Sequence, residues 1–216
     1  MASRRSPKLD KKQVVETALK LLDEVGLDGL TLRAIARELD VQAPALYWHF
    51  KNKQALLDEM ATEMYRRMVA GVRFPAGAGW QERILVSQRG LRAALLGYRD
   101  GAKVFSGSRF TGLEHAVDLE ANLRALVDAG FTLSQAVRAS TTAFHFTIGF
   151  VTEEQGVSPR PGERREGYDL EERAARMADF PLAAAAGAEV FQNYTEGFEA
   201  GLDLLIGGIE TRYGVR

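Results

Sequence analysis

Apolar residues recur at three- and four-residue intervals along almost the whole chain, which is the spacing of one face of an α-helix. No stretch alternates apolar and polar residues for long enough to predict a β-strand. N-cap residues, glycines and prolines divide this pattern into about ten segments. The sequence therefore predicts an all-α protein of about ten helices.

The N-terminal part contains three short amphipathic segments. The first ends at Gly26, the second begins after Thr31 as N-cap, and the third lies within VQAPALYWHF (41–50), where Pro44 suits a first helical turn. Asp40 lies between the second and third segments and tolerates the left-handed conformation that a tight turn requires. This arrangement is typical of a helix-turn-helix, whose second helix enters the major groove of DNA.

Side chains of the third segment suit DNA recognition. Gln42 can pair with adenine and Ala45 can contact a thymine methyl group, whereas Tyr47 and His49 can donate hydrogen bonds to phosphates. For the neighbouring aromatic residues Trp48 and Phe50, we expect partial packing rather than base contact. The candidate DNA-binding residues are Thr31, Arg33, Gln42, Pro44, Ala45, Tyr47, Trp48, His49 and Lys53.

Composition excludes several other classes of function. The chain has no cysteine, and its three histidines are too scattered to predict a metal site from local spacing. No nucleophile–base motif or Gly-rich phosphate loop is found, so we expect a protein that is not an enzyme and needs no cofactor. The N-terminus runs from basic to polar residues without a hydrophobic region, and no stretch is long and apolar enough to span a membrane, which is typical of a cytoplasmic protein.

The net charge is −1, but its distribution is uneven. Residues 1–56 carry ten Lys and Arg against seven Asp and Glu, and the remainder is acidic. A locally basic segment favours a DNA contact whatever the total charge, although an imbalance of three charges can also arise by chance.

The rest of the chain is predicted to continue as longer helices. The pattern predicts a helix from Lys53 to Gly71 and another from Trp80 to Leu96, then breaks over RDGAKVFSGSRFTG. Thr132 and Gln135 form a capping-box pair. The later predicted helices cover residues 113–129, 132–155, 170–186 and 188–211, with a charged loop over 156–169.

The run GLTLRAIARELDVQAPALYWHFKNKQALLDEM resembles the DNA-binding head of the TetR family, with LYWHFKNK as its most specific part. The segments WQERILVSQRGLRAALLGYRDGAKVFSGSR, DAGFTLSQAVRASTTAFHFTIGFVTEEQ and GFEAGLDLLIGGIE resemble the ligand-binding body of the family's tetracycline-repressor branch. The resemblance implies a DNA-binding domain (1–52), a connecting helix (53–72) and an effector-binding and dimerisation domain (73–216). It also implies a homodimeric repressor on a palindromic operator, released when an effector shifts the segment near residues 100–109.

In the tetracycline-repressor branch, two histidines and an asparagine bind the magnesium-chelated drug. Phe105, Val69 and Ser87 occupy the matching positions here, and a phenyl ring cannot coordinate a hard cation. The resemblance therefore implies a metal-free, apolar or aromatic small-molecule effector. The candidate effector-binding residues are Val69, Ser87, Leu91, Phe105, Ser108, Arg109, Phe110, Asn122, Val137, Phe144, His145 and Glu153.

Some interpretations stay open at this point. His145 can be a core histidine instead of an effector contact, and we expect the stripe Met60, Met64 and Met68 to pack in the core. Small residues in GFEAGLDLLIGGIE predict a dimer helix, although the same face can pack within one chain. The alternative function is an effector-independent DNA-binding regulator with a vestigial pocket.

Overall fold

The computed structural model describes residues 9–160 and 162–215, and every regular element in these ranges is a helix. The all-α prediction is confirmed, with eleven helices where the sequence predicted about ten. In chain order the helices are α1 (Lys11–Gly29), α2 (Leu32–Glu38), α3 (Ala43–Tyr47), α4 (Lys53–Gly71), α5 (Trp80–Leu96), α6 (Gly101–Phe105), α7 (Glu114–Asp128), α8 (Leu133–Val157), α9 (Leu170–Arg176), α10 (Pro181–Phe191) and α11 (Tyr194–Tyr213). None of the described helices is both long and apolar enough to cross a membrane.

Helices α1 to α3 pack on the first half of α4 and form an N-terminal head. Thr31 caps α2 by accepting a hydrogen bond from the N–H of Ala34 at 3.1 Å, as its side chain predicted. Asp40 lies in the left-handed region with φ 52°, so the turn between α2 and α3 forms as expected. Leu46 and Phe50 are almost completely buried and anchor α3 to the head. The helix-turn-helix prediction is thereby confirmed.

The regular part of α1 ends at Gly26, as predicted, because this glycine has a non-helical φ of 70°, and one further helical turn follows it to Gly29. One predicted boundary in the head is wrong. Helix α3 covers only Ala43–Tyr47 rather than the whole of 41–50. Its chain turns away early, since Phe50 is buried and Asn52 already caps α4.

The body is built around α8, which packs against α5, α6, α7 and α11. Thr132 and Gln135 form the predicted capping box at its start. Gly201 of α11 lies against the ring of Phe146, where a Cβ atom would approach the ring to 2.4 Å. Glycine therefore permits α11 to pack closely on α8.

The C-terminal prediction of two helices is wrong, because three helices follow the charged loop: the short α9 and α10 and the longer α11. Proline cannot donate a backbone hydrogen bond and disfavours helical conformation in the preceding residue. Pro181 accordingly begins α10 after a break from α9, and Asn193 separates α10 from α11.

Candidate nucleic-acid interface and effector cavity

The head presents most of the predicted DNA-binding residues at its surface. Thr31, Arg33, Gln42, Pro44 and Tyr47 are exposed, and Ala45 and His49 are half-buried beside them. Gln42 is the N-cap of α3 but makes no capping hydrogen bond with its side chain. Its amide is therefore free of the local contact that this position often makes.

One residue of this surface differs from expectation, and another makes a contact that was not predicted. Trp48 was expected to pack, but its side chain is 89% exposed, whereas Phe50 is buried as expected. Lys53 donates a hydrogen bond from Nζ to the carbonyl oxygen of Leu27 at 2.7 Å. Lys53 therefore joins the start of α4 to the end of α1, and a DNA contact by its other N–H groups stays a prediction.

The basic character of the head depends on its first residues. Arg4, Arg5 and Lys8 lie outside the described residues, and without them the segment up to residue 56 has as many acidic as basic side chains. The described part of the head therefore carries no net positive charge from these side chains. The exposed side chains on α2 and α3 are the stronger indication of a DNA-binding surface.

A cavity of about 420 Å³ lies in the body between α4, α5, α6, α7 and α8. Its aromatic wall is continuous: the rings of Phe105 and Phe110 meet edge to face at 5.5 Å, and Tyr65 lies 4.8 Å from Phe110. Phe144 lies 6.4 Å from Phe105. The volume and lining are typical of sites for drug-sized, largely apolar ligands.

Polar groups of the cavity are confined to a few positions. The hydroxyl of Tyr65 donates to Oδ2 of Asp118 at 3.0 Å, and burial together with this bond raises the pKa of Tyr65 well above its usual value. Oε1 of Gln88 accepts a hydrogen bond from Thr147 at 2.9 Å. His115 donates from Nδ1 to the carbonyl oxygen of Gly112 at 2.9 Å. Each of these side chains thus has a hydrogen-bond partner within the protein. Arg83 is the single lysine or arginine among the lining residues.

Seven of the predicted effector-binding residues line this cavity, and five do not. Those in the lining are Val69, Ser87, Leu91, Phe105, Phe110, Asn122 and Phe144. Outside the lining are Ser108, Arg109, Val137, His145 and Glu153. Of the methionine stripe, Met60 and Met64 are core residues as expected, while Met68 reaches the cavity.

Local geometry explains the five exceptions. The hydroxyl of Ser108 bonds to the carbonyl oxygen of Val104, and the backbone N–H of Arg109 bonds to Asp58. Val137 and His145 are exposed on α8. One residue turns a helix by about 100°, so His145 faces away when Phe144 faces the cavity. His145 is also not buried within the single chain, so neither interpretation of this residue is supported by its position.

Glu153 is exposed as well, and its neighbour Glu154 is the buried carboxylate of α8. Glu154 pairs with Arg92 at 2.7 Å. Within the described parts of the chain, no group of three or more metal-binding side chains lies close enough together to hold a metal ion.

Several cavity residues were missed from the sequence, above all Tyr65, Arg83, His115 and Asp118. Helical spacing could have found them. Arg83 lies one turn before Ser87 on α5, and His115 and Asp118 share a face of α7 with Asn122.

The head contacts the body at the start of α6. Oδ2 of Asp100 accepts a hydrogen bond from the N–H of Leu27 at 3.0 Å, and Asp23 accepts one from the N–H of Arg99 at 2.8 Å. Phe105 at the other end of this five-residue helix forms part of the cavity wall. The short helix α6 and the residues just before it therefore connect the cavity wall with α1 of the head.

Known proteins resemble this chain over both parts. Residues 14–60 match the family described as bacterial regulatory proteins, tetR family, and residues 74–213 match the tetracyclin repressor-like C-terminal domain. The chain is 40% identical over 205 residues to the tetracycline repressor protein class A from transposon 1721 of Escherichia coli, covering 95% of this chain and 92% of that protein.

Solved structures agree with this assignment. The TetR-Q116A protein of Acinetobacter baumannii AYE in complex with minocycline is 36% identical, with a TM-score of 0.70 over 94% of this chain and 98% of that chain. BioQ with its natural double-stranded DNA operator is 31% identical, with a TM-score of 0.62 over 94% of this chain and 99% of that chain. The similar proteins are named repressors and regulators, not enzymes. From its head, its body and these similarities, the chain belongs to the TetR family of bacterial regulatory proteins.

Proposed function

We propose that this protein is a transcriptional repressor that binds a palindromic operator as a homodimer and is released by a small molecule bound in the body. The observation that carries this proposal is the position of α6. One end of α6 supplies Phe105 to the cavity wall, and the residue before its other end, Asp100, bonds to Leu27 of the head. A ligand that moves α6 can therefore change the position of the head.

The DNA-binding part of the proposal rests on the exposed surface of α2 and α3. We propose that Gln42 and Ala45 contact bases and that Thr31, Arg33 and Tyr47 contact phosphates, and all but the half-buried Ala45 are exposed. The operator complex of BioQ, a protein of the same fold, supports this assignment. A repressor acts where the bacterial chromosome lies, so we place the protein in the cytoplasm.

The homodimer part rests on an apolar surface of α8 and α11 that nothing covers in the single chain. Leu204 is 79% exposed, and Cβ atoms added to Gly207 or Gly208 would meet no other group. The other two small residues of GFEAGLDLLIGGIE pack within the single chain. Gly197 faces Phe150 of α8, and Gly201 faces Phe146 of α8. We propose that a second copy covers the surface around Leu204.

The effector part rests on the cavity lining. Phe105, Val69 and Ser87 replace the three polar anchors of the tetracycline-repressor branch, and all three line the cavity. Aromatic rings and aliphatic side chains form most of its surface. We propose an apolar or aromatic effector that binds without a metal ion.

A ligand screen tests the proposal. Aromatic compounds are screened by thermal denaturation of the full-length protein, and each compound that raises Tm is added to a complex with DNA obtained by binding-site selection. We expect such compounds to weaken DNA binding by the wild type and to have no effect on Ser87→Trp, whose indole would obstruct the cavity. Compounds that raise Tm without changing DNA affinity would instead support the effector-independent alternative.

A further inference from the structure

Helix α5 carries three arginines, and they have different partners. Arg89 pairs with Glu199 at 2.6 Å and Arg92 pairs with Glu154 at 2.7 Å. Arg83 forms no ion pair with any carboxylate in the described ranges, although it lies half-buried in the cavity wall. Of the three, Arg83 alone brings an unneutralised charge to the cavity.

The contacts of Arg83 hold its guanidinium group in place without neutralising it. Nη2 donates to Oδ1 of Asn122 at 3.1 Å, and Cζ lies 4.2 Å from the ring centre of Phe74. The buried Nε–H has no hydrogen-bond partner among the described residues. An arginine stays protonated in such surroundings, so both its charge and a donor are left unsatisfied.

The only carboxylate in the cavity lining does not satisfy Arg83. Asp118 accepts a hydrogen bond from the hydroxyl of Tyr65 instead, and it lies too far from Arg83 for an ion pair. A cationic ligand would have to approach Asp118 in the presence of Arg83. An anionic group of a ligand beside Arg83 would accept its free hydrogen bonds and neutralise its charge. Both groups would lose only part of their hydration, because Arg83 is half-buried.

We propose that the effector is an aromatic anion whose carboxylate, sulfonate or enolate group binds Arg83 while its rings occupy the space between Phe105, Phe110 and Phe144. This inference rests on the proposed effector function and names the chemical class of the ligand. Such an oxyanion suits the guanidinium group, because a carboxylate or sulfonate can accept two of its parallel hydrogen bonds and an enolate can accept one. The aromatic wall, in turn, suits a ligand of two or three rings.

Two fluorescent probes test this proposal, because they share an aromatic body and differ in charge. 8-Anilinonaphthalene-1-sulfonate is anionic, and N-phenyl-1-naphthylamine is neutral. Both are titrated into the full-length wild type. We expect saturable binding of one probe per chain, with the anion bound at least about tenfold more tightly.

Matched variants locate the effect. Arg83→Gln should abolish the preference for the anion and leave the affinity for the neutral probe within about twofold, whereas Arg83→Lys should keep part of the preference. Arg124→Gln removes the same charge from the exposed face of α7 and should change nothing. Ser87→Trp should prevent binding of both probes.

Each result decides one of the two proposals. Equal binding of the probes by the wild type, or an equal loss of both in Arg83→Gln, would overturn the assignment of an anionic effector while the effector cavity stands. Binding of neither probe by the wild type, or binding that survives in Ser87→Trp, would contradict the cavity itself as the ligand site.

Discussion

The carboxylate of Asp100 accepts a hydrogen bond from the backbone N–H of Leu27 at 3.0 Å, across the boundary between body and head. Burial opposes ionisation of Asp100, but hydrogen bonds from Lys103 and Leu27 outweigh it and hold its pKa below the usual value. Asp100 also has φ 55°, in the left-handed region. The contact between body and head at Asp100 therefore depends on its charge, its hydrogen bonds and its left-handed backbone conformation.

Asp100 offers a matched pair of substitutions, because asparagine and glycine both tolerate a positive φ. Asp100→Asn keeps an acceptor for the N–H of Leu27, and Asp100→Gly removes it. We expect Asp100→Gly to lower the free energy of unfolding by about 1–2 kcal/mol relative to Asp100→Asn, since it leaves a partly buried donor without a partner. Hydrogen exchange at Leu27 should be faster in Asp100→Gly alone, and equal exchange in the two variants would show that the bond does not hold the junction.

Arg33 is expected to contact a phosphate of the operator. Arg33→Gln should weaken binding to all DNA sequences and reduce the slope of log K against log salt concentration by about 0.9 for each subunit, which is about 1.8 for the dimer. The measurement is fluorescence anisotropy of a labelled duplex at several salt concentrations. Arg124→Gln removes the same charge from the body and is the control. An unchanged slope in Arg33→Gln would remove Arg33 from the DNA-binding surface.

Leu204 is expected to lie in the homodimer interface. A charge there would be buried without a partner, so Leu204→Asp should give monomers in sedimentation velocity. Leu113→Asp is a suitable control, because Leu113 is 81% exposed but lies outside α8 and α11. If Leu204→Asp sedimented as a dimer while the control behaved like the wild type, the interface would have to lie elsewhere.

Magnesium–tetracycline is not expected to bind the wild type in isothermal titration calorimetry. Phe105 offers no ligand to the metal, and Val69 and Ser87 lack the polar groups that hold the drug in the tetracycline-repressor branch. The combined substitution Val69→His, Ser87→Asn and Phe105→His should raise the affinity, and a chelator should remove that gain. Micromolar binding by the wild type that a chelator abolishes would contradict the metal-free effector.

The parts of the fold that could be predicted are those whose ends are encoded locally. Thr31 and Thr132 each cap the helix that their side chains predicted, because such caps depend on residues within one turn. The break between α9 and α10 was not predicted although Pro181 marks it, because apolar residues continue on both sides of the proline.

The cavity could be predicted only in part, for a different reason. Phe105, Phe144 and Ser87, which the resemblance predicts as effector contacts, all line the cavity, but their contact with a ligand stays a prediction. The resemblance did not indicate Arg83, which lines the cavity without an ion pair in the described ranges. This feature depends on how α5 and α7 pack against each other, which the sequence does not encode locally.

Binding-site selection from a pool of random duplex DNA tests the central claim most directly. With the full-length wild type, we predict enrichment of an inverted repeat whose half-site centres are separated by about one helical turn or a multiple of it, because two copies of α3 must enter successive major grooves. Gln42→Ala should return a repeat with relaxed preference at one position in each half-site. Failure of the wild type to enrich any inverted repeat would contradict the account of this protein as a dimeric DNA-binding repressor.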